Sequence, residues 1–207
     1  MKRKHLYPFL AVIAVIVGMF LLQARPEPGG QVKLTGFSTG PLEPFQADPD
    51  QPLSSLAMLS FDFEGRRVNL VEGRAIERLP GYSEPWGTGL TQYQAAGDLN
   101  ADGVPDAAAV MVSACRGVMA KYFLVASLRR KDPASKTGIT AVATNTVYLG
   151  EDIVPDQLIH AGGGLDLRFL SRAPGEPAGT PATFVKEFRF TVKDGVLQGE
   201  EIGKPKE

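Results

Sequence analysis

The sequence has little of the chemistry that stabilises or activates many exported proteins. It contains one cysteine, Cys115, and two histidines, His5 and His160. A single cysteine excludes an intramolecular disulfide. We interpret Cys115 as a small, half-buried residue, and the alternative is a reactive or intermolecular thiol. With only one histidine outside the N-terminal segment, zinc sites built from His and Cys ligands are excluded.

A clustered basic surface is also missing. The 22 Lys and Arg residues are balanced by 23 Asp and Glu residues, for a formal charge of −1. Three of the basic residues, Lys2, Arg3 and Lys4, stand together at the start of the chain, so the remainder is weakly acidic. Nucleic-acid binding requires a concentrated positive footprint. We therefore expect no nucleic-acid partner.

The motifs of common enzyme classes are also weak or absent. The one G-x-S-x-G match, residues 36–40, lies in a Pro/Gly-rich stretch and not at a predicted strand-to-helix turn, and the glycines at 162–164 are not followed by the Lys-Ser/Thr of a phosphate-binding loop. We interpret His160 as a surface or turn residue, and the alternative is a catalytic base. Catalysis by paired carboxylates is the chemistry that stays open. Its candidates are Asp62, Asp152, Asp156 and Asp166.

One long uncharged run stands at the N-terminus, from Leu6 to Leu22. As a helix it would extend about 25 Å, near the lower limit for crossing a bilayer core. We therefore predict that residues 1–24 form an N-terminal transmembrane helix that anchors the chain, and the alternative is a cleaved signal segment that leaves the protein secreted. The basic residues before the run place the rest of the chain on the extracytoplasmic, periplasmic side.

Beyond this segment, the sequence predicts a Pro/Gly-rich linker over residues 25–54 and a β-rich domain over residues 55–203. The 23 glycines and 16 prolines suit short strands joined by turns, and no internal repeat of a solenoid or propeller occurs. We predict a mainly β fold, an antiparallel sheet or sandwich of short strands, with a β-rich α+β fold as the alternative. Predicted strands are 59–63, 68–71, 107–112, 122–128, 142–149, 165–169 and a hairpin over 188–197, and predicted loops are 79–89, 129–138 and 173–181.

The motif with the most specific chemistry is the loop that runs from Asp98 to Asp106. Oxygen side chains stand at its positions 1, 3, 5 and 9, and a glycine at position 6 permits a sharp reversal. Calcium prefers six to eight oxygen ligands, which such a loop offers from alternate positions. The alternative is an ordinary Asx-rich turn without metal. The predicted Ca²⁺ ligands are Asp98, Asn100, Asp102, the carbonyl of Val104, and Asp106.

The pattern D-x-N-x-D-G-x-x-D resembles the calcium loop of integrin FG-GAP repeats, which joins two β-strands. An EF-hand would need a Glu at position 12, where this chain has Ala109. The FG-GAP resemblance implies that Asp106 closes the coordination sphere. A broader resemblance, over residues 68–73, 97–103 and 148–150, is to uncharacterised exported bacterial proteins, often lipoproteins, and it implies no particular activity.

The sequence therefore predicts a membrane-anchored, extracytoplasmic accessory or binding domain with one structural Ca²⁺. Its partner would be a cell-envelope protein or glycan, which Tyr82 and Trp86 could contact from a Gly/Pro-rich loop. The alternative function is a carboxylate-dependent hydrolase acting on cell-envelope polysaccharide. We expect no enzymatic activity as the first prediction, because the usual catalytic groups are few.

Overall fold

The computed structural model describes residues 45–46, for which only the backbone is considered, and residues 51–202. These residues belong to one compact unit, Phe37–Glu207. The predicted membrane segment, residues 1–24, lies outside the described residues. Among the helices of the described ranges, none is long and apolar enough to span a bilayer.

The described chain is mainly β, which confirms that part of the fold prediction. It contains a single short helix among thirteen strands. The elements are β1 (Phe45–Gln46), α1 (Pro52–Leu56), β2 (Ser60–Phe63), β3 (Arg66–Asn69), β4 (Arg74–Glu77), β5 (Trp86–Gly97), β6 (Asp106–Ala114), β7 (Lys121–Lys131), β8 (Ile139–Ala143), β9 (Val147–Glu151), β10 (Val154–Ala161), β11 (Gly164–Ser171), β12 (Phe184–Lys193) and β13 (Val196–Glu201).

The strands form three antiparallel sheets. The central sheet has seven strands in the order β1-β8-β7-β6-β5-β4, and β9 pairs with β7 beside β8. A four-stranded sheet follows the chain order β10-β11-β12-β13, and β2 and β3 form a separate hairpin. Strand β1, which falls in the predicted linker, pairs with β8.

The central sheet is buried on both faces, because β6 and β7 send alternate side chains to two different cores. Ala108 and Val110 lie in a core shared with the four-stranded sheet, which we call the four-strand core. Ala109 and Met111 lie in a second core with α1, β2 and β3. Because both faces are buried, residues 107–112 form a continuous apolar run instead of an alternating pattern.

Several predicted elements are confirmed. Residues 122–128 are a strand, within β7, and 165–169 lie within β11. The terminal hairpin pairs Val192 with Leu197 around a turn at Asp194. Local alternation was sufficient for 165–169 and for the hairpin, whereas 122–128 was predicted as a buried strand from its continuous apolar run.

Other predictions are correct only in part. The predicted loop 79–89 ends early, since β5 begins at Trp86. The predicted exposed connection 129–138 begins inside β7, where Arg129 is fully buried. The predicted extended segment 142–149 is divided between β8 and β9, which pair with different parts of β7. Strand β10 was not predicted, because Pro155 and a register shift after it interrupt the pattern.

Candidate metal centre

The Asp-rich loop joins two neighbouring strands of the central sheet. Strand β5 ends at Gly97 and β6 begins at Asp106, and these two residues are a paired position of the ladder. The loop residues between them are therefore held at both ends by strand pairing. Ala101 and Gly103 adopt positive φ angles of 62° and 78°, which is why a glycine suits the sixth position.

Backbone amides gather the oxygens of the first half of the loop. Asp98 Oδ1 accepts from the Asp102 N–H at 3.2 Å, and Asp98 Oδ2 accepts from the Gly103 N–H at 2.9 Å. Asn100 Oδ1 accepts from the same Asp102 N–H at 3.1 Å. Asp102 Oδ1 accepts from the Val104 N–H at 2.8 Å. Asp98, Asn100 and Asp102 thus converge on one short stretch of backbone.

Asp106 lies differently, because its carboxylate is 0% exposed. Its Oδ2 accepts from the Leu99 N–H at 2.9 Å, and its Oδ1 accepts from the Arg129 N–H at 2.7 Å. One oxygen therefore closes the loop, and the other connects the loop to β7. The Arg129 side chain adds a bond from Nη1 to the Pro105 carbonyl at 2.8 Å. Asp106 therefore braces the loop through its two hydrogen bonds.

The pKa values of Asp98 and Asp106 are shifted in opposite directions. Burial raises the pKa of Asp106 to about 6, against the opposing hydrogen bonds from the backbone of Arg129 and Leu99, and repulsion from Asp102 and Asp98 raises it further. The pKa of Asp98 is lowered, chiefly by the hydrogen bond from the Gly103 amide. The buried end of the loop therefore resists negative charge, and the exposed end favours it.

This raised pKa predicts a pH dependence of the metal-free protein. The ordinary pKa of Asp106 is 3.8 and its folded value is about 6, so the folded state binds more protons between these values. The free energy of unfolding should then fall as pH rises from about 4 to about 6. Asp106→Asn removes this titration, and we expect a flatter profile in urea unfolding with chelator present. If the free energy of unfolding changes equally with pH in the two proteins, the raised pKa of Asp106 is contradicted.

The oxygen-bearing side chains of the loop are of the type that bind a cation such as Ca²⁺. Asp98, Asn100 and Asp102 provide carboxylate and amide oxygens on the open side of the loop, and calcium takes such oxygens together with backbone carbonyls, for which Val104 is the candidate. Asp106 fits less directly, since its carboxylate is fully buried, whereas the other carboxylates of the loop reach its open side. Over residues 51–202 and 45–46, no group of three or more His, Cys, Asp or Glu side chains is arranged to hold a metal.

His160 is the residue at this loop that sequence reasoning missed. Its interpretation as a surface or turn residue is wrong as to the turn, because it lies within β10, half-buried, with Nε2 3.2 Å from the Asp98 carbonyl oxygen. The two residues are 62 positions apart, so no local pattern connects them. The one usable signal was Gly97, a strand glycine directly before the loop, which often marks a close approach of another segment.

The carboxylates considered for hydrolysis each contact an arginine instead of a second carboxylate. These pairs are Asp62 with Arg67 at 2.8 Å, Asp152 with Arg172 at 3.7 Å, Asp156 with Arg168 at 2.5 Å and Asp166 with Arg189 at 2.8 Å. Asp62 lies on β2, Asp156 on β10 and Asp166 on β11, and Asp152 lies between β9 and β10. The arrangement does not bring the four candidates into one catalytic group.

The remaining candidates lie at the start of β5 and the end of β6. Trp86 is buried, and Tyr82 packs edge-on against it with ring centroids 5.2 Å apart. Trp86 therefore anchors the loop that precedes β5, and Tyr82 keeps an exposed edge. Cys115 is buried, with Sγ 3.5 Å from the Glu84 carbonyl oxygen.

Comparison with known proteins identifies no relative of this chain. No family model matches the chain, and neither a curated protein nor a solved structure is detectably similar to it. The geometry of the loop and the sequence pattern are therefore the basis for a functional proposal.

Proposed function

We propose that this protein is a non-catalytic accessory or binding domain whose β5–β6 loop holds one structural Ca²⁺. The observation that carries the proposal is the convergence of Asp98, Asn100 and Asp102 on the amides of residues 102–104. An Asx-rich turn needs one such side chain, whereas three acidic or amide side chains in five residues provide a set of ligands.

Charge supports a cation at this loop. Asp98 and Asp102 raise the pKa of Asp106 by repulsion, so the three carboxylates oppose one another when all are ionised. A bound divalent cation would attract all three and favour their ionised forms. The proposed ligands are Asp98, Asn100, Asp102 and the Val104 carbonyl, and Asp106 would add its charge from the buried side.

The proposed role of the ion is to hold the loop in register with the core. Leu99 is 4% exposed and belongs to the four-strand core, while its neighbours Asp98 and Asn100 carry the proposed ligands. Fixing those ligands also fixes the Leu99 side chain between the two large sheets. The ion would therefore stabilise the packing of the domain, which is a structural and not a sensory role.

The proposed location and partner rest on the sequence. The run Leu6–Leu22 is proposed to anchor the chain, with the domain on the extracytoplasmic side and a cell-envelope protein or glycan as partner. Fractionation of the full chain against a chain that starts at residue 25 tests the anchor, and equal solubility would contradict it. The carboxylate-dependent hydrolase gains no specific support, because its candidate carboxylates pair with arginines.

Calcium binding is tested by calorimetry and by terbium luminescence on the full chain. We expect the wild-type protein to bind one Ca²⁺ and Asp98→Ala to bind at least about tenfold more weakly, since it removes a carboxylate ligand. Asp132→Ala is the matched control. Asp132 also accepts a backbone N–H in a turn, from Ala134 at 3.0 Å, but it is not a proposed ligand. A wild-type protein without binding, or unchanged affinity in Asp98→Ala, would contradict the site.

A further inference from the structure

We infer that His160 is the positioning residue of the loop and couples Ca²⁺ binding to the docking of the four-stranded sheet on the central sheet. This inference rests on the proposed function, because it assigns a regulatory contact to the same loop. It identifies a residue from a remote strand, outside the nine-residue motif, as a determinant of cation affinity.

The first observation is the close packing of His160 on the backbone of β5. Strand β10 packs against β5, and His160 shares the inward face of β10 with Leu158, which is 7% exposed. A Cβ atom placed on Gly97 would lie 2.2 Å from His160 Cγ and 2.3 Å from Nδ1. The imidazole ring therefore occupies the space beside Gly97, immediately before the first proposed ligand.

The second observation is that one peptide group of the loop is held from both sides. The carbonyl of Asp98 and the N–H of Leu99 belong to the same planar peptide. His160 Nε2 lies 3.2 Å from that carbonyl oxygen, and Asp106 Oδ2 accepts from that N–H at 2.9 Å. Because a carbonyl oxygen can only accept, Nε2 carries the proton of this bond.

Holding this peptide fixes the side chains on either side of it. The Asp98 side chain turns toward the loop amides, and the Leu99 side chain enters the four-strand core. If His160 is removed, the peptide loses its contact with β10 and keeps only the bond from the Leu99 N–H to Asp106, so the ion must supply more of the order of Asp98. The coupling is reciprocal by thermodynamic necessity. Bound Ca²⁺ therefore strengthens the docking of β10, and a docked β10 strengthens Ca²⁺ binding.

Three substitutions of His160 test the inference by calorimetry with Ca²⁺. Glutamine places a donor N–H at the same number of bonds from Cβ as His160 Nε2, whereas asparagine is one bond shorter and leucine has no donor. We expect His160→Leu and His160→Asn to bind Ca²⁺ about five- to tenfold more weakly, as for loss of one hydrogen bond, and His160→Gln to stay within about twofold of wild type. Gln157→Leu is the control, because Gln157 lies on the exposed part of β10.

The outcomes separate the inference from the proposed function. Absence of Ca²⁺ binding in the wild-type protein overturns the site itself. Binding by the wild-type protein with equal affinity in all three variants overturns the coupling, even where the melting temperature falls, because a merely structural role would move only the latter. Equal weakening in His160→Gln and His160→Asn overturns the role of the hydrogen bond. If His160→Leu does not fold, the comparison of glutamine with asparagine decides.

Discussion

Asp106→Leu is expected to lower the free energy of unfolding of the metal-free protein by about 3–5 kcal/mol. The physical reason is that two buried amides, those of Leu99 and Arg129, would lose their acceptor, and each buried donor left without a partner costs about 1–3 kcal/mol. Leucine has the same number of side-chain heavy atoms as aspartate and is bulkier, so no cavity contributes to the loss and overpacking adds to it. The measurement is urea unfolding with a chelator present, which removes any contribution of bound ions.

Asp102→Ala is the matched control for this substitution. Asp102 is also an acidic residue of the loop and also accepts a backbone N–H, from Val104 at 2.8 Å. Its side chain is exposed, so water can replace the lost acceptor, and we expect a cost below about 1 kcal/mol. A loss of under about 1 kcal/mol for Asp106→Leu, or similar losses for the two variants, would show that Asp106 does not brace the loop.

Asp106 also shows how far a sequence motif can be interpreted. The spacing placed Asp106 at the ninth position of the loop, and the structure puts it at the first residue of β6. What the spacing did not contain is the buried environment of its carboxylate. Its Oδ1 bonds the amide of Arg129, 23 residues further along the chain, and such a contact depends on the pairing of β6 with β7. Local spacing predicts which oxygen-bearing side chains the loop contains, whereas the groups they contact follow from the sheet topology.

The fold shows the same difference between what local sequence predicts and what distant contacts determine. Alternating strands such as 165–169 were predictable, because a strand with one buried face has a period of two. Arg129 was predicted as exposed because charged residues are rarely fully buried without partners, yet it lies in the interior and donates to the Pro105 carbonyl. The three-layer packing could not be predicted from periodicity, since β6 and β7 are apolar on both faces. In each case the missing information is a contact between segments distant in sequence.

Gly97→Ala is expected to destabilise the protein by about 1–3 kcal/mol, as for overpacking of a close contact. The added Cβ would lie within 2.6 Å of three atoms of the His160 ring, so either the ring or β10 must move away from β5. In a His160→Ala background the obstructing ring is absent, and we expect the same substitution to cost close to nothing. Urea unfolding of the four proteins in chelator gives the coupling free energy between the two positions.

Gly87→Ala tests whether the cost belongs to this contact or to any glycine of the strand. Gly87 lies on β5 as well, and its nearest obstacle to a Cβ is the Ala114 carbonyl oxygen at the ordinary distance of 3.9 Å. Alanine there should be neutral or slightly stabilising, because it reduces the freedom of the unfolded chain without strain. A cost for Gly97→Ala that persists in His160→Ala would mean that the strand itself, and not the imidazole, requires glycine. A cost that disappears would establish the imidazole as the obstacle, since that ring alone distinguishes the two backgrounds.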